Sequence, residues 1–163
     1  VGSEMCIRDR LSVFVGTNDA ERHLGRLLRA DDPKTVPDFD FADWERTYRG
    51  LLDQARQANP ALKIVLCTPF AAPCGKIVEG ALGEYYPLRQ RILAQCCVIV
   101  ERIAADYGAT LVPFHRLIAD LETRLPNGDA TYWVWDGIHP TPAGQRLMAD
   151  CWIGAAARSG VME

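Results

Sequence analysis

Serine is scarce: only Ser3, Ser12 and Ser159 occur in 163 residues, which leaves few hydroxyl nucleophiles and no Ser-rich linker. No excess of positive charge is present either. Lys+Arg 18 against Asp+Glu 21 give a net charge of −3, and the basic residues are scattered rather than striped, so the electrostatic footprint of a nucleic-acid binder is missing. No apolar run reaches the ~18–20 residues of a membrane span. The longest, around Cys96–Val100, is soon broken by Glu101 and Arg102. The six cysteines show no C-x-x-C spacing and no nearby His pair, which argues against a zinc site. Cys96 and Cys97, adjacent within a helical pattern, read as small buried hydrophobes. Internal repeats and domain-dividing linkers are also lacking. What remains is a globular composition, 48% apolar and 24% charged, of one domain's length.

The first ten residues, VGSEMCIRDR, have neither the long apolar core of a signal peptide nor an amphipathic period. They resemble the translation of a transposase adapter used to prepare sequencing libraries, whose incomplete last codon is completed to Arg10. On that reading residues 1–10 are adapter-derived, and the natural sequence begins near Leu11, inside a strand. The frame is then truncated, and any signal peptide would lie in the lost part.

From Leu11 the chain alternates. LSVFV (Leu11–Val15) is a short β-rich apolar run ending at Gly16, the pattern of a buried parallel strand. A polar, Pro-containing stretch follows, with Asp31, Asp32, Asp38 and Asp40 read as a solvated acidic loop. Asp40 then caps a helix whose stripe is Trp44, Tyr48, Leu51, Leu52 and Ala55. IVLC (Ile64–Cys67) is a second strand, and Pro69–Pro87 reads as an irregular loop. A helical stripe from Leu88 to Tyr107 stops at Gly108, and Thr110–Val112 is a third strand. His115–Arg124 reads as helix, and Thr141-Pro142 starts a last helix running towards Gly160. Such alternation predicts an α/β fold with a parallel sheet and helices on its faces.

In open α/β sheets, ligands gather beyond the carboxyl ends of the strands. Two segments belong there. Gly16-Thr17-Asn18-Asp19 follows the first strand, and an Asn18 amide aimed into the crevice can stabilise an oxyanion. On this tetrapeptide alone, an Asx-turn or a capping role is the preferred reading. The second segment is Trp135-Asp136-Gly137-Ile138-His139-Pro140. A turn there brings the Asp136 carboxylate onto the His139 imidazole, the acid–base pair of triad chemistry. A capping aspartate beside an ordinary surface histidine is the alternative.

Together, VFVGTND and WDGIHPTPAG, in that order, resemble the SGNH hydrolases, or GDSL-type esterases and acylhydrolases, from about Leu11 to Trp152. The resemblance implies a three-layer flavodoxin-like fold, here without its first two strands. Residues 11–157 are then the C-terminal part of one hydrolase domain, with 158–163 as a tail. It also implies an oxyanion-hole role for Asn18, an acid role for Asp136, a general-base role for His139, and no cofactor or metal. The partner it implies is a small-molecule ester, such as a lipid ester or an acetylated sugar.

The family's nucleophilic serine sits in a G-D-S motif, which this chain lacks. A strand, its crossover helix and a further strand–helix pair take roughly 60 residues, the size of the segment expected to be missing. The chain as written is therefore expected to be inactive. A non-catalytic carbohydrate- or protein-binding module on the same fold is the alternative. A metal phosphoesterase would want more carboxylates than Asp19 and Asp136. Trp133 and Trp135 read as packing residues, with the lining of an acyl or sugar pocket as the alternative, and His23 and His115 as surface or helix-end histidines.

Overall fold

The computed structural model describes residues 9–124 and 130–162; Ser3 and Cys6 lie outside them. Three parallel strands, β1 (Arg10–Phe14), β2 (Lys63–Cys67) and β3 (Thr110–Val112), stand in the order β1-β2-β3. Leu11 pairs with Ile64 and Phe14 with Cys67, while Val65 pairs with Thr110 and Cys67 with Val112. Among the described residues six helices surround them: α1 (Thr17–Arg29), α2 (Phe41–Ala58), α3 (Gly80–Glu84), α4 (Tyr86–Asp106), α5 (Phe114–Arg124) and α6 (Pro142–Arg158).

The pleat of β2 explains the layering. Successive side chains point to opposite faces, and both faces here are apolar. Ile64 and Leu66 join Leu52 of α2 and Ile99, Val100 and Ile103 of α4 on one side. Val65 and Cys67 join Ile118 of α5 and Met148 and Ala156 of α6 on the other. Burial of each such aliphatic side chain contributes about 1.5–3 kcal/mol, and a polar residue in place of Ile64, Val65, Leu66 or Cys67 would open one of the two cores.

Most boundaries follow local chemistry. Asp40 accepts from the Asp43 N–H at 2.8 Å to start α2. Gly108, at φ +58°, lets the chain leave α4 while the Ala109 N–H returns to the Ala104 carbonyl at 2.8 Å. Thr141 Oγ1 accepts from the Gly144 N–H at 3.2 Å, with Pro142 at the first position of α6. The strand expected at Leu11–Val15 runs one residue earlier, and the Arg10 side chain donates to the Val161 and Met162 carbonyls. The polar stretch after Gly16 is not all loop: it holds α1, whose buried side is Ala20, His23, Leu24 and Leu27.

β1 is less protected than β2. Its outer edge pairs with no described strand. On the α6 side Trp152 reaches Ser12 at 3.1 Å, yet Phe14 stays 44% exposed. An unpaired five-residue edge beside exposed apolar surface is a template for another strand. The chain is therefore expected to self-associate with rising concentration, and Phe14→Lys to shift it towards single chains in light scattering. A concentration-independent monomer with a sharp, reversible thermal transition would contradict this.

Candidate active site

The Asp136–His139 segment is a clamped turn. Val134 and Pro140 form an antiparallel bridge, the Trp135 N–H reaches the His139 carbonyl at 3.1 Å, and the Thr141 N–H reaches the Trp133 carbonyl at 2.9 Å. Inside it, Asp136 Oδ1 accepts from the backbone N–H groups of Ile138 (3.1 Å) and His139 (2.8 Å). Oδ2 lies 2.7 Å from His139 Nδ1. One carboxylate thus holds both the backbone and the ring of the same histidine. With Nδ1 as the donor, Nε2 carries the lone pair, on a side chain that is 63% exposed.

Partial burial alone would raise the Asp136 carboxyl. The His139 side chain, the two backbone N–H groups and the imidazole charge outweigh it and hold the carboxyl below its ordinary value. A depressed carboxyl adds stability above its unfolded pKa, near pH 4, and that stability is lost as pH falls through the folded value. The stability gap between the chain and Asp136→Asn should therefore close in acid. A gap in urea midpoint that persisted undiminished near about pH 2 would refute the linkage.

The turn rests on the segment after β2. The Ala72 N–H donates to the Gly137 carbonyl at 2.8 Å, and Cys74 Sγ donates to the Val134 carbonyl at 2.8 Å. Contact is close enough that a Cβ on Gly75 would meet Asp136 Cα at 2.6 Å. One on Gly137, at φ +92°, would strike Ile77 and the Cys74 carbonyl. The Pro69–Pro87 stretch, read from sequence as loop, holds a 3₁₀ turn at Gly75–Val78 and the short α3, and it buttresses the histidine turn. Behind it, Arg89 of α4 donates to the Ile77 carbonyl at 3.1 Å and pairs with Glu21 of α1 through Nε (2.5 Å) and Nη2 (3.1 Å). Sequence reasoning did not single out this pair.

Asn18 is the second residue of α1. Gly16, at φ +119°, turns the chain out of β1 so tightly that a Cβ would meet Pro69 Cγ at 2.8 Å. Thr17 Oγ1 donates to the Phe70 carbonyl at 3.0 Å, and Asp19 Oδ2 accepts from Trp44 Nε1 at 3.2 Å. Neither Asn18 nor Asp19 caps the helix. The Asn18 side chain is exposed and bonds to no described residue. Because Thr17 docks on Phe70 and Gly137 on Ala72, the Asn18 and His139 segments are anchored to one stretch beyond the carboxyl end of β2. Trp135 is exposed, its ring centroid 6.1 Å from that of His139, whereas Trp133 packs against the α5–α6 core. His115 sits at the start of α5 with Nδ1 2.7 Å from Thr68 Oγ1. His23 corrects the surface expectation: it is 8% exposed, buried on the inner side of α1.

Ser12 Oγ accepts from Trp152 Nε1, and Ser159 Oγ bonds Thr110 Oγ1 at 2.6 Å at the start of β3. Neither bonds His139. Among the described residues no group of three or more His, Cys, Asp or Glu converges as a metal site, and no helix is long and apolar enough to cross a membrane.

Among solved structures, a GDSL-like lipase from Parabacteroides merdae is similar over 91% of this chain, with 26% identity and a TM-score of 0.73. The chain spans 60% of that protein's length. An acetylxylan esterase from Geobacillus stearothermophilus (22% identity, 93% of this chain, 63% of that chain, TM-score 0.67) shares the fold. So does a lipase/acylhydrolase from Enterococcus faecalis (17%, 97%, 66%, 0.55). No curated protein matches the sequence. A parallel α/β sheet with these motifs at its carboxyl end agrees with the family profile that matches residues 6–147, and the chain belongs to the GDSL-like lipase/acylhydrolase family.

Proposed function

We propose that the chain carries the acid–base and oxyanion part of a serine esterase centre, and that the nucleophile lies outside these 163 residues. The observation that carries this reading is the 2.7 Å contact of His139 Nδ1 with Asp136, which leaves Nε2 unbonded to any described residue on a side chain that is 63% exposed. His139 Nε2 takes the proton of a serine hydroxyl as its oxygen attacks an ester carbonyl, and Asp136 steadies the imidazolium. The Asn18 amide donates to the oxyanion. His139 then protonates the departing alcohol, and water releases the acid from the acyl enzyme. The substrate is a small-molecule ester, such as a lipid ester or an acetylated sugar. The domain reading goes with this: residues 11–157 are the C-terminal part of one hydrolase domain, preceded by ten adapter-derived residues.

The reading frame upstream of Leu11 tests the proposal. A G-D-S motif after an apolar strand, in a protein whose ester turnover is lost in His139→Ala, is the expected result. An intact upstream frame without such a serine would overturn it in favour of a carbohydrate- or protein-binding module.

A further inference from the structure

A sizeable cavity among the described residues lies away from the histidine turn. That cavity, of about 890 Å³, lies between α1, the Pro33–Phe41 segment and the start of α4. Its volume falls in the range of small-molecule sites. Leu27, Val36, Phe39, Phe41, Leu88 and Ile92 supply apolar wall. Two cations, Lys34 and Arg91, border it, and neither is in an ion pair with a described residue.

His23 gives the wall its polar point. The ring is buried edge-on to Phe39, with centroids 5.7 Å apart, and makes no hydrogen bond to any described residue. It lines both this cavity and an adjoining one of about 400 Å³. Asp38 lines both as well, which puts the acid at the His23 junction, whereas Lys34 and Arg91 border the larger cavity alone. Burial lowers the His23 pKa, Arg26 adding to the effect and Asp38 opposing it, so the ring is neutral at pH 7. Attraction for an anion at that pH therefore comes from the Lys34 and Arg91 end.

An apolar wall with two unpaired cations beyond its acid-bearing junction is complementary to an amphiphile whose single charge is negative. We propose that this cavity binds an apolar monocarboxylate, with its chain against Leu27, Phe39 and Ile92 and its carboxylate between Lys34 and Arg91. The site is separate from Asp136 and His139 and does not depend on the esterase reading.

Equilibrium dialysis of the chain against octanoate tests it, and works whether or not the chain self-associates. Saturable binding is expected, weakened about tenfold in the Lys34→Gln/Arg91→Gln double variant and unchanged in Arg158→Gln, a cation on the last turn of α6. Lys34, Arg91 and Arg158 are all exposed, so these variants should keep the parent's thermal transition. Octanol should bind more weakly than octanoate. With only three histidines in the chain, His115→Gln and His139→Ala identify the His23 ring proton by elimination, and octanoate should shift it. Absence of saturable binding, equal affinity in the double variant, equal affinity for octanol, or a shift of His139 in place of His23 would each overturn the proposal.

Discussion

Glu21→Ala is expected to cost about 3–5 kcal/mol of folding stability, at the lower end if water reaches the vacated position. The reason is asymmetric burial. Arg89 is fully buried, and two of its nitrogens form a fork on the Glu21 carboxylate while a third is held by the Ile77 carbonyl. Removing the carboxylate strands a guanidinium that cannot lose its proton. Arg89→Met should cost less, because it fills much of the same volume and leaves behind only a carboxylate that solvent already touches. The test is Glu21→Gln beside Glu21→Ala: the amide keeps the side chain's volume and removes its charge, so loss of packing alone would leave Glu21→Gln near the parent. Urea unfolding of both gives the comparison. Glu21→Ala within about 1 kcal/mol of the parent would show that the pair is not a lock. Ile77, to which Arg89 is bonded, lies against Gly137, so the Asp136–His139 turn should loosen in step with the loss.

Arg89 also shows where the sequence is legible and where it is not. The strands can be read because β2 is buried on both faces and its four apolar residues stand in a row; the helices α2 and α4 can be read because their apolar stripes are wide. α1 opens on the polar run TNDAER, in which Ala20 alone is buried, and has a histidine, His23, at its next inner position, so it reads as a polar stretch. Helix propensity and the Gly16 turn were the available signals. Asp136 and His139 are three residues apart, so a local turn suffices to join them. The buttress is non-local: Ala72 meets Gly137 and Gly75 meets Asp136 across some sixty residues, and no local period encodes that. A charged residue on an inner register is the one trace left. Arg89 falls three and four residues before Ile92 and Leu93, on the buried side of α4, and such a cation needs a partner.

The purified chain is expected to hydrolyse no ester in a His139-dependent way. The argument is positional. The Ser12 hydroxyl is in mid-strand and taken by Trp152, and Ser159 sits beside the first residue of β3, at the opposite end of the sheet from Asn18. A base to which no described serine hydroxyl is bonded gives at most the slow background of a free imidazole. Turnover of p-nitrophenyl acetate that His139→Ala abolished would defeat this. In a form of the domain that also presents a serine to Nε2, Asp136→Asn should lower kcat by about 10⁴, as in a comparable triad. The amide keeps an oxygen for the Ile138 and His139 N–H groups, so the turn survives while the ring loses the acceptor that holds its proton on Nδ1. Nitrogen NMR of His139 separates these effects even in the chain without a nucleophile. The parent should show the Nδ1-protonated tautomer and Asp136→Asn a shift towards Nε2. An unchanged tautomer would mean that the 2.7 Å contact does not orient the base.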